Sequence, residues 1–282
     1  MQITKIGIVG CGLMGAGIAE VSIRAGYNVV VSEVNKELLD RGLVNIRNSM
    51  AKAVERGRLK EEEMKGALAR LQGTLSLDDF RDCHLIIEAI GENMELKRQT
   101  FAQLDKVCPP ETILASNTSC LSIVDIAMAT KRPPRVLGMH FFNPVPVMRL
   151  MELVVSILTS GETLDAARKF GESVGKTVIV APDTPGFVVN RLLIPYLLDA
   201  IRMLEARVAS KEDIDQGMVL GCNHPMGPLT LADYIGLDTL LYIADAMYQE
   251  FKAPHFAAPP LLKKMVVAGQ LGKKTKKGFY NY

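Results

Sequence analysis

The sequence predicts an α/β protein: a doubly wound, largely parallel sheet followed by an all-helical domain. Up to about residue 184, short runs rich in β-branched residues alternate with helical stretches, as in a parallel sheet with crossover helices. Beyond that point the patterns are helical only. Two prolines and a glycine at residues 182–186 interrupt the chain there. We therefore predict a first domain over residues 1–184 and a second over residues 185–282.

The first domain opens with a β-rich run at residues 3–9, a glycine turn, a helix at 16–25 and a strand at 29–33. Residues 35–70 are highly charged and predict a helical excursion, which Gly57 and Gly66 divide into two parts. The remaining strands are expected at residues 85–89, 113–116, 136–140, 151–155 and 177–180, with helices at 94–106 and 123–128.

In the second domain, helices are expected at residues 188–207, 211–220, 229–251 and 260–268. A small domain of apolar helices has few ways to bury all of its apolar surface alone. We therefore expect it to pack against a second copy of the chain and form a homodimer.

Composition excludes several classes of protein. Of the 282 residues, 48% are hydrophobic and 23% charged, with a net charge of +2, which indicates a globular chain without a nucleic-acid surface. No apolar run reaches the roughly 20 residues that span a bilayer, so no membrane partner is expected. The five cysteines are scattered and lack metal-ligand spacing, which favours reduced thiols, no metal site and a cytoplasmic location.

The sequence GCGLMG at residues 10–15 follows a predicted strand and opens a predicted helix, which is typical of a Rossmann-type dinucleotide site. Gly10 permits the tight turn, Gly12 lets the diphosphate approach the backbone, and Gly15 lets the helix pack closely. The carboxylate of Glu33, at the end of the next strand, should bind the ribose hydroxyls and repel a 2′-phosphate, which favours NAD over NADP. The alternative is a glycine turn that only packs a strand on a helix. The other loop residues placed at the cofactor are Leu13 and Met14.

A candidate proton-transfer pair lies further along the chain. His140 ends a strand against aromatic residues and prolines, and histidine suits the removal of a hydroxyl proton near neutral pH. Glu152 stands in an otherwise apolar strand, where an unpaired carboxylate is costly. If Glu152 accepts the ring N–H of His140, it fixes the tautomer of the ring. A core histidine and an edge-strand glutamate are equally consistent with the spacing alone.

Seven ordered segments resemble the 3-hydroxyacyl-CoA dehydrogenase family over nearly the whole chain. They are GCGLMGAGIA (10–19), EAIGEN (88–93), ASNTSCLSI (115–123), GMHFFNPVPVMRLMELV (138–154), DTPGFVVNRLL (183–193), NHPMGPLTLADYIGLDT (223–239) and GKKTKKGFYNY (272–282). The resemblance implies an NAD-dependent oxidoreductase that interconverts (S)-3-hydroxyacyl-CoA and 3-ketoacyl-CoA, with the short-chain substrate 3-hydroxybutyryl-CoA expected.

The resemblance also implies roles for individual residues. His140 would be the general base and Glu152 its partner, Ser119 would hydrogen-bond the substrate oxygen, and Asn190 would orient the site. Without the resemblance, Ser119 reads as a helix cap and Asn190 as a polar helix residue. The further cofactor contacts that the resemblance implies are Glu92, Lys97, Asn117, Ser119, Asn143 and Lys274.

For the CoA moiety, the resemblance implies contacts from Ser49 and Arg56, together with Ser119. Ser49 and Arg56 are seven residues apart, so they lie on one face of a helix. The family commonly has lysine where Arg56 stands, and either cation can meet a phosphate. A solvated helix surface is an equal alternative for this pair.

Two other functions remain open at this point. An enzyme of the same architecture could act on a free hydroxy acid, as gulonate-type dehydrogenases do, and a CoA-phosphate contact at Arg56 would argue against it. The second open function is that of a non-catalytic, crystallin-like protein that binds a nucleotide. The presence of His140, Glu152, Ser119 and Asn190 together argues against a scaffold, which needs none of them.

Overall fold

A computed structural model describes residues 2–282, which divide between Asp183 and Thr184 into two compact units. This division falls one residue before the predicted boundary. Within the described residues, no helix is long and apolar enough to cross a membrane.

The first unit is built on an eight-stranded sheet in the order β3-β2-β1-β4-β5-β6-β7-β8. Strands β1 to β6 are parallel, β7 runs antiparallel to β6, and β8 runs parallel to β7. The predicted largely parallel sheet is therefore confirmed. The strands are β1 (Lys5–Val9), β2 (Asn28–Ser32), β3 (Leu71–Thr74), β4 (Leu85–Glu88), β5 (Ile113–Ser116), β6 (Val136–Phe141), β7 (Leu150–Val155) and β8 (Thr177–Pro182).

Helices of the first unit connect these strands. Several begin at side-chain caps, for example where Asn35 accepts a hydrogen bond from the Leu38 N–H and where Asn93 accepts one from the Leu96 N–H. The charged excursion folds as two helices, α2 and α3. The helices are α1 (Leu13–Arg24), α2 (Lys36–Glu55), α3 (Glu61–Leu68), α4 (Met94–Val107), α5 (Ile123–Ala127) and α6 (Gly161–Ser173).

The strand order positions a ligand crevice. From β1 the chain continues to β2 and β3 on one side of the sheet, and then crosses to β4 on the other side of β1. The connection after β1 and the connection after β4 therefore run in opposite directions, and the order of the strands reverses between β1 and β4. In open α/β sheets, ligands bind beyond the carboxyl ends of the strands at such a switch point. Strands β4 and β5 are buried along their whole length, so the loops that follow their carboxyl ends, and not the strands themselves, can reach a ligand.

The second unit is helical, as predicted. Its core is made of apolar side chains that include Leu197, Leu229 and Leu240, none of which is exposed. Within residues 184–282 the only β pairing is by the isolated bridges of Lys277 with Gly272 and Asn281. The helices are α7 (Val189–Glu205), α8 (Lys211–Cys222), α9 (Pro228–Ile235), α10 (Leu237–Phe251) and α11 (Pro260–Val267).

Two expectations about elements are wrong. The single helix predicted over residues 229–251 is two helices, α9 and α10, because Gly236 between them has a φ of +98°, which no helical residue adopts. The sequence analysis also missed β3, the edge strand at Leu71–Thr74. Its four residues, LQGT, include a glycine and show no apolar run, and the strand exists because it pairs with β2.

The C-terminal tail is fastened to α9 by Asp233. This carboxylate is 1% exposed and accepts hydrogen bonds from the Phe279 N–H at 3.0 Å, the Tyr280 N–H at 2.9 Å and the Tyr282 hydroxyl at 3.1 Å. Gly278 packs so closely that an added Cβ would lie 1.9 Å from an Asp233 carboxylate oxygen. The aspartate therefore fixes the course of the last residues.

We predict that Asp233→Ala lowers the free energy of unfolding by about 2–3 kcal/mol, because buried donors lose their acceptor. Urea unfolding followed by circular dichroism measures the change, and limited proteolysis should show cleavage within the released tail. Asp245→Ala, at an exposed position of α10, is the matched control. Equal stability of the two variants would contradict the role assigned to Asp233.

Candidate active site

The glycine loop between β1 and α1 combines two close backbone approaches with one open position. Gly10 has a φ of +93°, and an added Cβ would lie 2.8 Å from the Ala89 carbonyl oxygen after β4. At Gly15 an added Cβ would lie 1.8 Å from the Gly10 carbonyl oxygen, so only glycine lets α1 begin there. Around Gly12, in contrast, no atom lies within 4 Å of such a Cβ. This open side faces no protein atom and fits a ligand group that approaches the start of α1.

Glu33 joins the end of β2 to this loop. Its Oε1 accepts a hydrogen bond from the Cys11 N–H at 2.8 Å, and its Oε2 accepts one from the Val34 N–H at 3.1 Å. The carboxylate is therefore held beside the glycine loop, and its contact with the ribose stays a prediction. Leu13, the first residue of α1, is 72% exposed in the same loop.

His140 and Glu152 form a buried pair across β6 and β7. The two residues are direct partners in the antiparallel register, and the His140 Nδ1 lies 2.6 Å from the Glu152 Oε2. His140 is 5% exposed and Glu152 is not exposed at all. A carboxylate can only accept, so this contact requires Nδ1 to donate; in the neutral ring that tautomer leaves the lone pair on Nε2. Because β7 pairs on both sides, Glu152 is not on an edge strand.

The loop after His140 is held in place by a buried lysine. The Lys176 ammonium donates to the carbonyl oxygens of Val145 and, at 2.7 Å, Met148. Burial lowers the pKa of Lys176, and the nearby positive charge of Arg24 lowers it further. On the other side, Val145 packs against α1, where an added Cβ at Gly17 would lie 2.8 Å from the Val145 Cβ. The loop that follows β6 is therefore held on one side by α1 and on the other by Lys176, the residue before β8.

The same loop carries an aromatic contact and a predicted cofactor residue. The Phe142 ring lies 4.6 Å from the His140 ring, centroid to centroid, and limits the orientations open to the imidazole. Asn143 is exposed and precedes a cis peptide bond to Pro144.

Hydrogen bonds connect the segment after β5 to β6 and to the loop after β4. The side-chain oxygen of Asn117 accepts a hydrogen bond from the Phe141 N–H at 2.9 Å, which connects the ends of β5 and β6. Glu92 Oε1 accepts from the Ser119 N–H at 2.7 Å and from the Thr118 hydroxyl at 3.0 Å. The backbone of Ser119 is thus fixed by Glu92, which lies in the loop after β4.

Lys97 is buried, unlike a cofactor ligand on the protein surface. It is 1% exposed, and its ammonium lies 2.6 Å from the Glu88 Oε1 and 3.5 Å from the Glu92 Oε2. A direct contact of Lys97 with the cofactor stays a prediction, whereas the structure shows a buried ion pair.

The remaining predicted residues lie further along the chain or on α2. In the second unit, Asn190 is the second residue of α7 and is 9% exposed. Lys274, in the tail, pairs with Asp238 of α10. In the first unit, Ser49 is half-buried on α2, and Arg56 is exposed as the residue that caps the end of that helix.

Three residues that support the site were not predicted from the sequence. Glu88 and Ser116, at the ends of β4 and β5, are fully buried and bonded to each other at 2.6 Å. A glutamate in an apolar strand was a usable signal, since the same signal identified Glu152. Asp183 was also missed: its carboxylate accepts from the N–H groups of Ile123 at 2.8 Å and Val124 at 2.7 Å, and so caps α5.

These features define a class of protein. A doubly wound sheet with an open glycine loop at its switch point, a carboxylate held beside that loop and a buried histidine–carboxylate pair is typical of a nicotinamide-dependent dehydrogenase. The family described as "3-hydroxyacyl-CoA dehydrogenase, NAD binding domain" matches residues 5–184, and its "C-terminal domain" matches residues 186–282. The chain belongs to the 3-hydroxyacyl-CoA dehydrogenase family, and its cofactor is NAD.

Individual relatives are similar to this chain over 99–100% of their lengths. A 3-hydroxybutyryl-CoA dehydrogenase of Mycobacterium tuberculosis is 51% identical over 282 residues, which cover 99% of each chain. The crystal structure of FadB2 from the same organism gives a TM-score of 0.99 at 50% identity, with 100% of both chains covered. The (S)-3-hydroxybutyryl-CoA dehydrogenase PaaH1 of Ralstonia eutropha gives a TM-score of 0.96 at 43% identity, covering 100% of this chain and 99% of that one.

We predict that Glu33→Ala weakens NADH binding about tenfold while NADPH binding improves. The variant lacks the carboxylate that we expect to hydrogen-bond the ribose hydroxyls and to repel a 2′-phosphate. Fluorescence titration of the reduced cofactors measures both dissociation constants. Glu37→Ala, at an exposed position in the first turn of α2, should leave them unchanged. An unaltered NADPH affinity in Glu33→Ala would contradict the role of this carboxylate in cofactor choice.

Thiol chemistry gives a second prediction. Burial raises the pKa of Cys11 and of Cys83 to about 12, and that of Cys108 to about 11. Cys120, beside Ser119, is 3% exposed, whereas Cys222 is exposed. Since only an accessible thiolate reacts, a disulfide reagent at pH 8 should modify Cys222 and no other cysteine of the native protein. Mass spectrometry of the labelled peptides measures this, with Cys222→Ser as the control that removes labelling. Modification of Cys120 at a comparable rate would contradict the prediction.

Proposed function

We propose that this protein interconverts (S)-3-hydroxyacyl-CoA and 3-ketoacyl-CoA with NAD, that 3-hydroxybutyryl-CoA is its substrate, and that His140 moves the proton. The single observation that carries the proposal is the buried His140–Glu152 pair at 2.6 Å. The pair stands at the carboxyl end of β6, the edge at which the glycine loop follows β1. The substrate is supported by the names of full-length relatives, which are 3-hydroxybutyryl-CoA dehydrogenases.

The chain's own residues handle the proton. When NAD is bound, its nicotinamide supplies the hydride acceptor for C3 of the substrate. His140 accepts the hydroxyl proton at Nε2 as the ketone forms, and in the reverse direction it returns that proton to the ketone oxygen. Glu152 holds the ring by Nδ1 and stabilises the positive charge that the ring acquires. Burial of the pair strengthens this interaction, because little water screens it.

We also assign roles to Ser119 and Asn190. Ser119 would hydrogen-bond the substrate oxygen, and its backbone is already fixed by Glu92 at 2.7 Å. Asn190, near the start of α7, would orient the reacting groups. Such placement supplies rate because the reacting atoms need no further ordering.

The cofactor would occupy the glycine loop. Gly10, Gly12 and Gly15 leave room for the diphosphate at the start of α1, and Glu33 would bind the ribose. The other residues that we assign to NAD are Leu13, Met14, Glu92, Lys97, Asn117, Ser119, Asn143 and Lys274.

The CoA moiety would be bound along α2. Ser49 and Arg56 are seven residues apart at the end of this helix, so they share a face, and Arg56 presents an exposed guanidinium that suits a phosphate. The first unit also has a groove of about 560 Å³ whose lining includes the cationic residues Arg58, Arg149 and Lys176. The positive charge of this region favours a substrate with a phosphorylated tail over a small free hydroxy acid.

We further propose a homodimer that forms through the second unit, in the cytoplasm. Apolar side chains in this unit stand exposed, among them Leu192 at 74%, Leu220 at 80% and Val267 at 90%. Exposed apolar side chains of this size favour a protein contact. All five cysteines are free thiols, which suits a reducing compartment.

The experiment that tests the function follows NADH absorbance while the purified protein meets acetoacetyl-CoA. NADH should be consumed, NADPH should be consumed far more slowly, and His140→Ala should reduce turnover by about 10²–10⁴-fold. Turnover of acetoacetate in place of acetoacetyl-CoA would favour the free-acid alternative. A His140→Ala variant with wild-type turnover would overturn the assignment of His140 as the base.

We predict that Glu152→Gln lowers kcat by at least about 10²-fold with little change in the KM for NADH. The amide has nearly the same shape but no negative charge to stabilise the imidazolium. Steady-state kinetics with circular dichroism as a folding check measure the effect. Glu162→Gln, which alters an exposed partner of Arg135, is the control. A Glu152→Gln enzyme with the wild-type kcat would show that the charge of Glu152 is not needed.

We predict that Arg56→Ala raises the KM for acetoacetyl-CoA about tenfold through the loss of a phosphate contact. The KM for acetoacetyl-N-acetylcysteamine, a thioester without phosphates, should not change. Arg47→Ala, exposed on the same helix, controls for the general charge of α2. An equal rise with both thioesters would argue against a phosphate contact at Arg56.

A further inference from the structure

We propose that Glu88 is a positioning residue for the reaction: it holds the loop after β4 and the loop after β5 together, and so sets the place of Ser119. The inference rests on the proposed function only for the contact of Ser119 with substrate. The arrangement of Glu88 itself is a property of the first unit.

Glu88 is fully buried at the carboxyl end of β4 and uses both of its oxygens. Oε1 accepts from the Lys97 ammonium at 2.6 Å and from the Ile90 N–H at 2.7 Å. Oε2 accepts from the Ser116 hydroxyl at 2.6 Å. Glu88 and Ser116 are also direct partners in the β4–β5 register. A single carboxylate therefore connects the ends of two neighbouring strands and the start of one loop.

Two routes lead from Glu88 to Ser119. In the first, the Lys97 ammonium lies 3.5 Å from Glu92 Oε2, and Glu92 Oε1 accepts from the Ser119 N–H at 2.7 Å. In the second, the Ser116 oxygen accepts from the Thr118 N–H at 3.3 Å, one residue before Ser119. Displacing Glu88 loosens both routes at once.

The energetics indicate positioning rather than stability as the reason for this charge. Burying an ion pair requires the removal of water from both ions, and an apolar pair of the same volume is often as stable. Apart from Glu88 and Ser116 at their carboxyl ends, strands β4 and β5 consist of buried apolar residues. What an apolar pair cannot supply is the set of directional hydrogen bonds that fixes the loops at residues 89–93 and 117–120.

The test is a kinetic double-mutant cycle between Glu88 and Ser119. Glu88→Gln keeps the volume of the side chain, and a shift of Ser119 by a fraction of an ångström should lower kcat by about 10–100-fold. In the Ser119→Ala background, Glu88→Gln should lower kcat less than about threefold, because the group it positions is already gone. The affinity for NADH, measured by fluorescence, should fall less than kcat does.

Two further variants keep the test decisive. Ser116→Ala removes one bond to Glu88 and leaves the Lys97 ion pair, so it should fold and lower kcat about 3–10-fold, again only when Ser119 is present. Glu20→Gln disrupts another buried glutamate, which pairs with Arg24 at 3.3 Å on α1, and should keep the wild-type kcat.

The outcomes separate the inference from the function on which it rests. Additive losses, with Glu88→Gln as harmful in Ser119→Ala as in wild type, would overturn the positioning role. An equal loss of kcat in Glu20→Gln and Glu88→Gln would also overturn it, because the loss would then follow from changing any buried glutamate. A Ser119→Ala enzyme with the wild-type kcat would refute the substrate contact of Ser119, and with it the inference. Wild-type protein that turns over no 3-ketoacyl-CoA would instead refute the proposed function.

Discussion

The hydrogen bond between His140 and Glu152 is the interaction on which the site depends, and the sheet is built so that it can form. Strands β1 to β6 run parallel, and the reversal at β7 brings Glu152 directly opposite His140. The unexposed glutamate has a partner within the sheet, which removes the main penalty of its burial. The loop that follows His140 is then fixed from two sides, by Lys176 and by the contact of Val145 with α1.

A second principle of the architecture is that charge and backbone donors are paired at the carboxyl edge of the sheet. Glu33 binds the Cys11 N–H beside the glycine loop, Glu88 binds Lys97 at the end of β4, and Glu92 binds the Ser119 N–H. Each carboxylate joins segments that are distant in the sequence. The strands supply a rigid frame, and these bonds set the geometry of the loops that face a ligand.

The sequence predicted what local patterns determine. The glycine loop was recognisable from its strand–turn–helix setting, and Glu152 from its place in an apolar strand. Strand β3 was missed because its stability comes from pairing with β2. This tertiary contact cannot be predicted from the four residues of the strand alone. The break at Gly236 lay inside an apolar helical pattern, and the burial of Lys97 followed only from knowing that Glu88 lies opposite it. The residues that are neighbours in the folded structure decide whether a charged side chain is buried in an ion pair or exposed to solvent.

The central claim, that Glu152 fixes the tautomer of the His140 ring, can be tested by ¹⁵N NMR of the protein labelled at its histidines, at a pH where the His140 ring is neutral. The His140→Ala spectrum assigns the signals among the four histidines. Our account predicts that Nδ1 carries the hydrogen and that Nε2 shows the shift of an unprotonated ring nitrogen. A hydrogen on Nε2, with Nδ1 unprotonated, would contradict it, because the ring could then neither donate to Glu152 nor accept a proton on its Nε2.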